Sequence, residues 1–173
     1  MGQKLFALRR LYNRRRHAQK MAQGRNYVVL SKRTHMSYKN VYGGELQRCS
    51  KKTMALTGFT RDGECRNHDD DAGSHHVCID ISSTTGGNFC SVTGQPNWCE
   101  EKMPCHENNG EKCPIKNWCV CEWAFASYIE KAGGCDKIAD VVCEATNQKA
   151  LQHYEASDMP HVKRALKCLK EKC

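Results

Sequence analysis

The sequence predicts a small, irregular α+β domain that is stapled by disulfides, has few short strands and about three helices, and follows a basic arm. Three observations support this fold class. The chain has 173 residues, which suits one folded unit with a modest core. All thirteen cysteines lie between Cys49 and Cys173, a density typical of a disulfide scaffold. The apolar segments are short, and glycines and prolines separate them.

The positive charge is concentrated at the start of the chain. Residues 1–40 contain eleven of the 27 lysines and arginines and none of the 19 acidic residues, so the rest of the chain, with 16 basic and 19 acidic residues, is mildly acidic. We therefore predict a basic arm over residues 1–38 and a cysteine-rich domain over 39–173. Its charge suits phosphates, anionic lipid headgroups or acidic protein surfaces. The predicted partner-binding residues of the arm are Arg9, Arg10, Arg14, Arg15, Arg16, Lys20 and Arg25.

The arm also has features of a targeting sequence. Leu5, Leu8 and Leu11 recur at helical spacing, which indicates a basic amphipathic helix. No segment has 18 consecutive apolar residues, so no membrane-spanning helix is predicted. The arm lacks the apolar core of a secretory signal and, being arginine-rich and free of acids, is similar to a mitochondrial transit peptide.

The first half of the domain has one clear strand. "VCIDIS" at 77–82 alternates between apolar and polar residues and predicts this strand. Residues 86–116 have no clear period and are predicted to be irregular, with four cysteines available to staple them. "NWCVCEWAFASYIEKAGG" at 117–134 predicts the clearest helix, which ends at the two glycines.

The C-terminal part is predicted to be mainly helical. "IADVVCEA" at 138–145 predicts a strand, and "TNQKALQHY" at 146–154 predicts a short helix. We expect the last helix to be capped by Ser157 or Asp158 and to have Pro160 in its first turn. Its predicted inner stripe is Val162, Ala165, Leu166 and Leu169.

The cysteines are predicted to form intramolecular disulfides. Thirteen is an odd number, so at least one thiol is free, pairs with another chain or binds a metal. Cys173, the last residue, is the simplest candidate for the unpaired thiol. The disulfide candidates are Cys49, Cys65, Cys78, Cys90, Cys99, Cys105, Cys113, Cys119, Cys121, Cys135, Cys143 and Cys168.

One segment has the spacing of a metal site. Cys65, His68, His75 and Cys78 form two short pairs like those of a tetrahedral zinc site. The three aspartates at 69–71 lie between the pairs, and we interpret them as a solvated acidic loop because adjacent side chains diverge. A disulfide-linked turn with surface histidines is favoured over zinc, and no metal or cofactor is expected.

The sequence offers little support for catalysis. Cys119 and Cys121 lie within the predicted helix, where they would point about 200° apart and could not bridge each other. There is no C-x-x-C redox motif, no G-x-S-x-G turn and no phosphate-binding glycine loop. We therefore predict that the protein is not an enzyme and has no small-molecule substrate.

Five segments resemble one family in the same order. They are "KNVYGGELQRCS" (39–50), "LTGFTRDGECRN" (56–67), "DAGSHHVC" (71–78), "NWCVC" (117–121) and "EATNQKAL" (144–151). Together they resemble an uncharacterised cysteine-containing domain family of bacteria, algae and large DNA viruses, over roughly residues 39–154. The extra cysteines within 88–113 are similar to those of algal and viral members.

The resemblance implies a fold but no mechanism. His68 departs from the family pattern, which tends to have glycine there, and this weakens the zinc interpretation. The resemblance also implies that Cys65 and Cys78 form disulfides. It gives no role to Arg61, Asp62 and His75, which remain an unexplained polar set. The matching positions are Asn40, Gly43, Gly44, Cys49, Thr57, Gly58, Phe59, Arg61, Asp62, Gly63, Cys65, His75, Cys78, Trp118, Cys119 and Cys121.

These features lead to three functional hypotheses. The first is a minor capsid protein on the inner side of the shell of a large icosahedral double-stranded DNA virus. Its partners would be the major capsid protein and neighbouring minor proteins, with the arm also able to contact an anionic membrane or nucleic acid. The second is an accessory subunit of a mitochondrial ribosome or respiratory complex. The third is a metal-binding module or an enzyme of unknown activity, which a cleft gathering Arg61, Asp62 and His75 would favour.

Overall fold

The computed structural model describes residues 38–83, 87–105 and 110–173. The predictions for the basic arm therefore lie outside the described residues, apart from its last residue. The described part is a small α+β fold, which confirms the predicted class. Its strands are β1 (Val77–Asp80), β2 (Lys102–Pro104), β3 (Lys112–Pro114) and β4 (Asn117–Val120). Its helices are α1 (Phe89–Thr93), α2 (Glu122–Ala132), α3 (Gln148–Ala156) and α4 (Pro160–Lys172).

The central sheet has two antiparallel strands, β1 and β4, in which Cys78 lies opposite Cys119. Strand β4 corrects the helix predicted over 117–134, because only its second part is helical. The alternation of a strand places Trp118 and Val120 in the main hydrophobic core, while Cys119 joins a separate buried cluster of cysteines. Helix α2 begins only after Cys121, so Cys119 and Cys121 do not share a helix as predicted.

Helices α2 and α4 cover the core beside this sheet. Phe125 and Tyr128 of α2 are fully buried, and the helix ends at Gly133, whose φ of 90° is the left-handed conformation of a glycine C-cap. Pro160 begins α4, as predicted, but the N-cap is Met159 and not Ser157 or Asp158. From the predicted stripe of α4, Val162, Ala165 and Leu169 are buried and Leu166 is partly buried.

The segment from 138 to 145 is not the predicted strand. It makes one isolated bridge between Val141 and Ile79 and then forms a 3₁₀ turn, Cys143–Ala145. Asn147 caps α3 by accepting a hydrogen bond from the backbone N–H of Lys149. No helix in the described residues is long and apolar enough to cross a membrane.

Six disulfides link the domain, and they correct the prediction about the unpaired cysteine. Cys173 is bonded to Cys143 because α4 carries the end of the chain back to that turn, where their Cα atoms are 5.7 Å apart. Among the thirteen cysteines, all within the described residues, only Cys121 is free. The other bonds are Cys49–Cys78, Cys65–Cys119, Cys90–Cys99, Cys105–Cys113 and Cys135–Cys168.

Two disulfides within the segment 86–116 join cysteines that are close in sequence. One disulfide, Cys90–Cys99, ties α1 to the 3₁₀ turn Trp98–Glu100 that follows it. Another joins Cys113 of β3 to Cys105, which directly follows β2. Both bonds close short loops, with sequence separations of 9 and 8 residues.

Candidate active site

The described residues form a pocket of about 480 Å³, open to solvent, beside the start of α2. This volume suits a small organic molecule. Aromatic and apolar side chains form much of its wall, and a few polar groups converge on it. The residues that matter most for its chemistry are Phe59, Arg61, His75, Trp98, Trp118 and Cys121.

The free cysteine is one of the residues that line this pocket. Cys121 is half-buried at the N-cap of α2, and its side chain makes no capping hydrogen bond there. Burial raises the pKa of the Cys121 thiol above its ordinary value, and the nearby backbone N–H groups of Ala124 and Trp123 only partly offset this effect. At neutral pH the resting group is therefore a thiol, and it needs a base to become a nucleophile.

His75 lines the same pocket and is held by a buried carboxylate. Its Nδ1 lies 2.7 Å from Oδ1 of Asp71, and its backbone N–H donates to Oδ2 at 2.8 Å. The backbone N–H of Gly73 also donates to Asp71, at 3.1 Å. Burial by itself raises the pKa of Asp71, but the hydrogen bonds and charge of His75 outweigh it and lower that pKa. An ionised Asp71 keeps the proton of neutral His75 on Nδ1, which leaves Nε2 as a proton acceptor.

The ring of His75 is also fixed by its two neighbours. A Cβ atom on Gly73 would lie 2.6 Å from Cε1 of His75, so only glycine allows the ring to occupy this position. On another side, the ring of Phe59 stacks on His75 with centroids 6.3 Å apart. Such packing pre-organises the imidazole without using its Nε2 atom.

Arg61 supplies a positive charge to the pocket. Its guanidinium lies over the ring of Trp118, 4.8 Å from the centroid, and Nη1 donates to the carbonyl of Gly58 at 3.1 Å. Within the described residues it forms no ion pair with a carboxylate. Burial lowers the pKa of Arg61 from its ordinary value, although the group stays charged. Arg61 is an exposed cation at this pocket without a carboxylate partner among the described residues, so it is available to an anionic ligand.

The predicted polar set is only partly brought together. Arg61 and His75 line the pocket, but the carboxylate of Asp62 instead accepts the backbone N–H of Glu64 and pairs with Arg66 at 3.5 Å. The carboxylate beside His75 is that of Asp71. The sequence interpretation of Asp71 as part of a solvated loop is wrong, because this residue is only 5% exposed.

The four residues with the spacing of a zinc site, Cys65, His68, His75 and Cys78, are engaged in other contacts. Cys65 is bonded to Cys119 and Cys78 to Cys49, so neither offers a thiolate. His75 is paired with Asp71, and His68 packs against the ring of Phe59 with centroids 5.7 Å apart. The disulfide interpretation of these two cysteines agrees with the structure.

The fold and the pocket define a small, disulfide-linked α+β domain with a free thiol in a pocket that is suited to a small ligand. Residues 39–163 match the family model described as an uncharacterized protein conserved in bacteria, DUF2237, so the chain belongs to this family. This match confirms the resemblance to an uncharacterised domain family. No curated protein matches the chain.

Proposed function

We propose that this domain is a cysteine-dependent enzyme that acts on a small anionic molecule. One observation carries the proposal: the only free cysteine of the described chain shares a pocket with the His75–Asp71 pair and with Arg61, which has no acidic partner there. The proposal develops the third hypothesis from the sequence and replaces the expectation that the protein is not an enzyme. Two of the three residues named for that hypothesis line the pocket.

Each group has a role in this proposal. Nε2 of His75 takes the proton of the Cys121 thiol while Asp71 holds Nδ1–H, and the thiolate attacks an electrophilic acyl carbon. A carbon–sulfur bond forms, the bond to the leaving group breaks, and His75 returns the proton to the leaving group. Water then hydrolyses the acyl-cysteine. Arg61 binds an anionic group of the substrate.

An ester probe tests this proposal. We expect a 4-nitrophenyl ester that carries a free carboxylate to acylate Cys121, seen as a burst of nitrophenolate and as the matching mass increase. His75→Ala should slow acylation by about 100-fold, the usual contribution of a general base. Arg61→Gln should remove the preference for this ester over the uncharged analogue. An unmodified Cys121, or a rate that is unchanged in His75→Ala, would overturn the proposal.

The minor capsid role is a second proposal. The six disulfides favour it, since they suit a protein under mechanical load, and the arginine-rich arm suits contacts with acidic surfaces of other capsid proteins. Cross-linking through Lys20 in particles from the source tests this role. Links to major and minor capsid proteins are expected. Links to ribosomal or respiratory subunits would instead favour the mitochondrial alternative.

A further inference from the structure

A second polar cluster has Glu122 at its centre and consists of residues that do not line the pocket. Glu122 is the first residue of α2, and its carboxylate is fully buried. Its Oε2 atom lies 2.8 Å from Nδ1 of His76, and its Oε1 atom lies 2.6 Å from Nδ1 of His153. One donor atom from each residue lies within 4.8 Å of the others.

Three separate elements bring these side chains together. His76 directly precedes β1, Glu122 begins α2 and His153 belongs to α3. The backbone of Glu122 is fixed on both sides, since its N–H donates to the carbonyl of Ser74 and its carbonyl accepts the hydroxyl of Tyr154. The cluster is therefore held by the fold and does not depend on one flexible loop.

The buried carboxylate of Glu122 has imidazoles, and not a lysine or arginine, as its charged-type neighbours among the described residues. An ionised carboxylate with no exposed surface is stable in a protein when it is paired with a cation or bound to a metal. Within the described residues, no lysine or arginine pairs with Glu122, and its side-chain partners are the two imidazoles. His76 is as deeply buried as Glu122, whereas 36% of the His153 side chain is exposed and opens the cluster to solvent.

We propose that His76, Glu122 and His153 bind one divalent transition-metal ion, of which zinc is the simplest. Two imidazole nitrogens and one carboxylate oxygen are donors that zinc accepts, with the fourth position left for water. The ion takes the place of the protons between Glu122 and the two Nδ1 atoms, the imidazoles then carry their protons on Nε2, and the ion adds a positive charge beside the buried carboxylate.

The distances require only a small adjustment. Donor atoms on a tetrahedral zinc ion with bonds of about 2.0–2.1 Å lie roughly 3.3 Å apart. The two nitrogen–oxygen distances are 2.8 and 2.6 Å, so the rings must move outward by about half an ångström or a little more. His153 has room to do so, because it is partly exposed and stacks on the ring of Trp123, which is itself on the surface.

Metal titration tests the site separately from the proposed thiol chemistry. The experiment uses the full, oxidised chain with Cys121→Ser, which removes the free thiol as a competing ligand and abolishes the proposed nucleophile. After treatment with a chelator, Zn²⁺ is titrated by calorimetry, and Co²⁺ is titrated while visible absorption is recorded. We expect one ion per chain and the intense bands of four-coordinate cobalt.

Three further variants identify the ligands. His153→Ala and Glu122→Gln should each weaken Zn²⁺ binding at least tenfold, whereas His161→Ala, on α4 and outside the cluster, should leave it unchanged. Circular dichroism checks that His153→Ala is folded, and His153→Gln replaces it if it is not. The absence of stoichiometric binding, or binding of equal strength in the folded His153 variant, would overturn the metal site even if Cys121 proves to be catalytic.

Discussion

Nδ1 of His75 lies 2.7 Å from Oδ1 of Asp71, and the side chain of Asp71 is only 1% exposed while that of His75 is 36% exposed. The pair therefore has one end in the interior and one end at the pocket. This arrangement allows a buried carboxylate to set the tautomer of an imidazole that a ligand can reach.

The first prediction concerns Asp71 and pH. Because the pKa of Asp71 is lowered in the folded protein, its contribution to stability is complete above the unfolded value of about 3.9 and is lost as the pH falls toward the folded value. Asp71→Asn should reduce the free energy of unfolding by about 1–3 kcal/mol at pH 7. The difference from the unmodified protein should shrink below about pH 4.

Urea unfolding at several pH values measures this difference. Asp70→Asn is the matched control, because Asp70 is an exposed neighbour of the same type, and it should change stability little. A constant difference between Asp71→Asn and the unmodified protein from pH 7 to pH 3 would contradict the assigned role of the carboxylate.

The second prediction concerns the reactivity of Cys121. Burial raises the pKa of this thiol, so the rate of alkylation by iodoacetamide should rise with pH and reach its midpoint above the ordinary cysteine value of about 8.5. Rates measured from pH 6 to pH 10 give this midpoint. A midpoint below pH 7 would contradict the buried thiol.

The fold was predictable where local pattern and tertiary contacts agree. The strand at 77–82 and the final helix have clear periodicity, and the structure has both as β1 and α4. The helix predicted at 117–121 is wrong because a short apolar segment suits either a buried strand or a helix. Its pairing with β1 and the bond between Cys119 and Cys65 decide in favour of a strand, and neither is visible in local sequence.

The site was harder to predict because its key residues are distinguished only by tertiary contacts. Asp71 is one of three consecutive aspartates, and it turns inward because two backbone N–H groups and His75 meet its carboxylate. Its spacing of four residues before His75 was the available signal. The sequence predicts that Cys121 forms a disulfide, and this is wrong. Pairing depends on distances between remote segments, so the odd number of cysteines shows that one thiol is unpaired but does not identify it.

The third prediction tests the packing of the His75 ring. Gly73→Ala would place a Cβ atom 2.6 Å from Cε1 of His75, so the ring must move away from its place beside Asp71. We expect a loss of about 1–3 kcal/mol in the free energy of unfolding and slower acylation of Cys121. Gly44→Ala is the control, since its nearest neighbouring atom would be 3.5 Å away. Equal stability and acylation rates in the two variants would show that the ring is not fixed by Gly73.

The fourth prediction tests the disulfide assignment at the end of the chain. Alkylation of the unfolded, unreduced protein should modify one cysteine, and peptide mapping should identify it as Cys121 and show Cys173 linked to Cys143. Since the bond between Cys143 and Cys173 closes a loop with a sequence separation of 30, replacing both by alanine should lower the free energy of unfolding by about 2–4 kcal/mol. Replacing Cys121 by serine should cost much less, because no bond is lost. Modification of Cys173 would show that the terminal thiol is the free one. The cysteine pairing would then no longer support Cys121 as the proposed nucleophile.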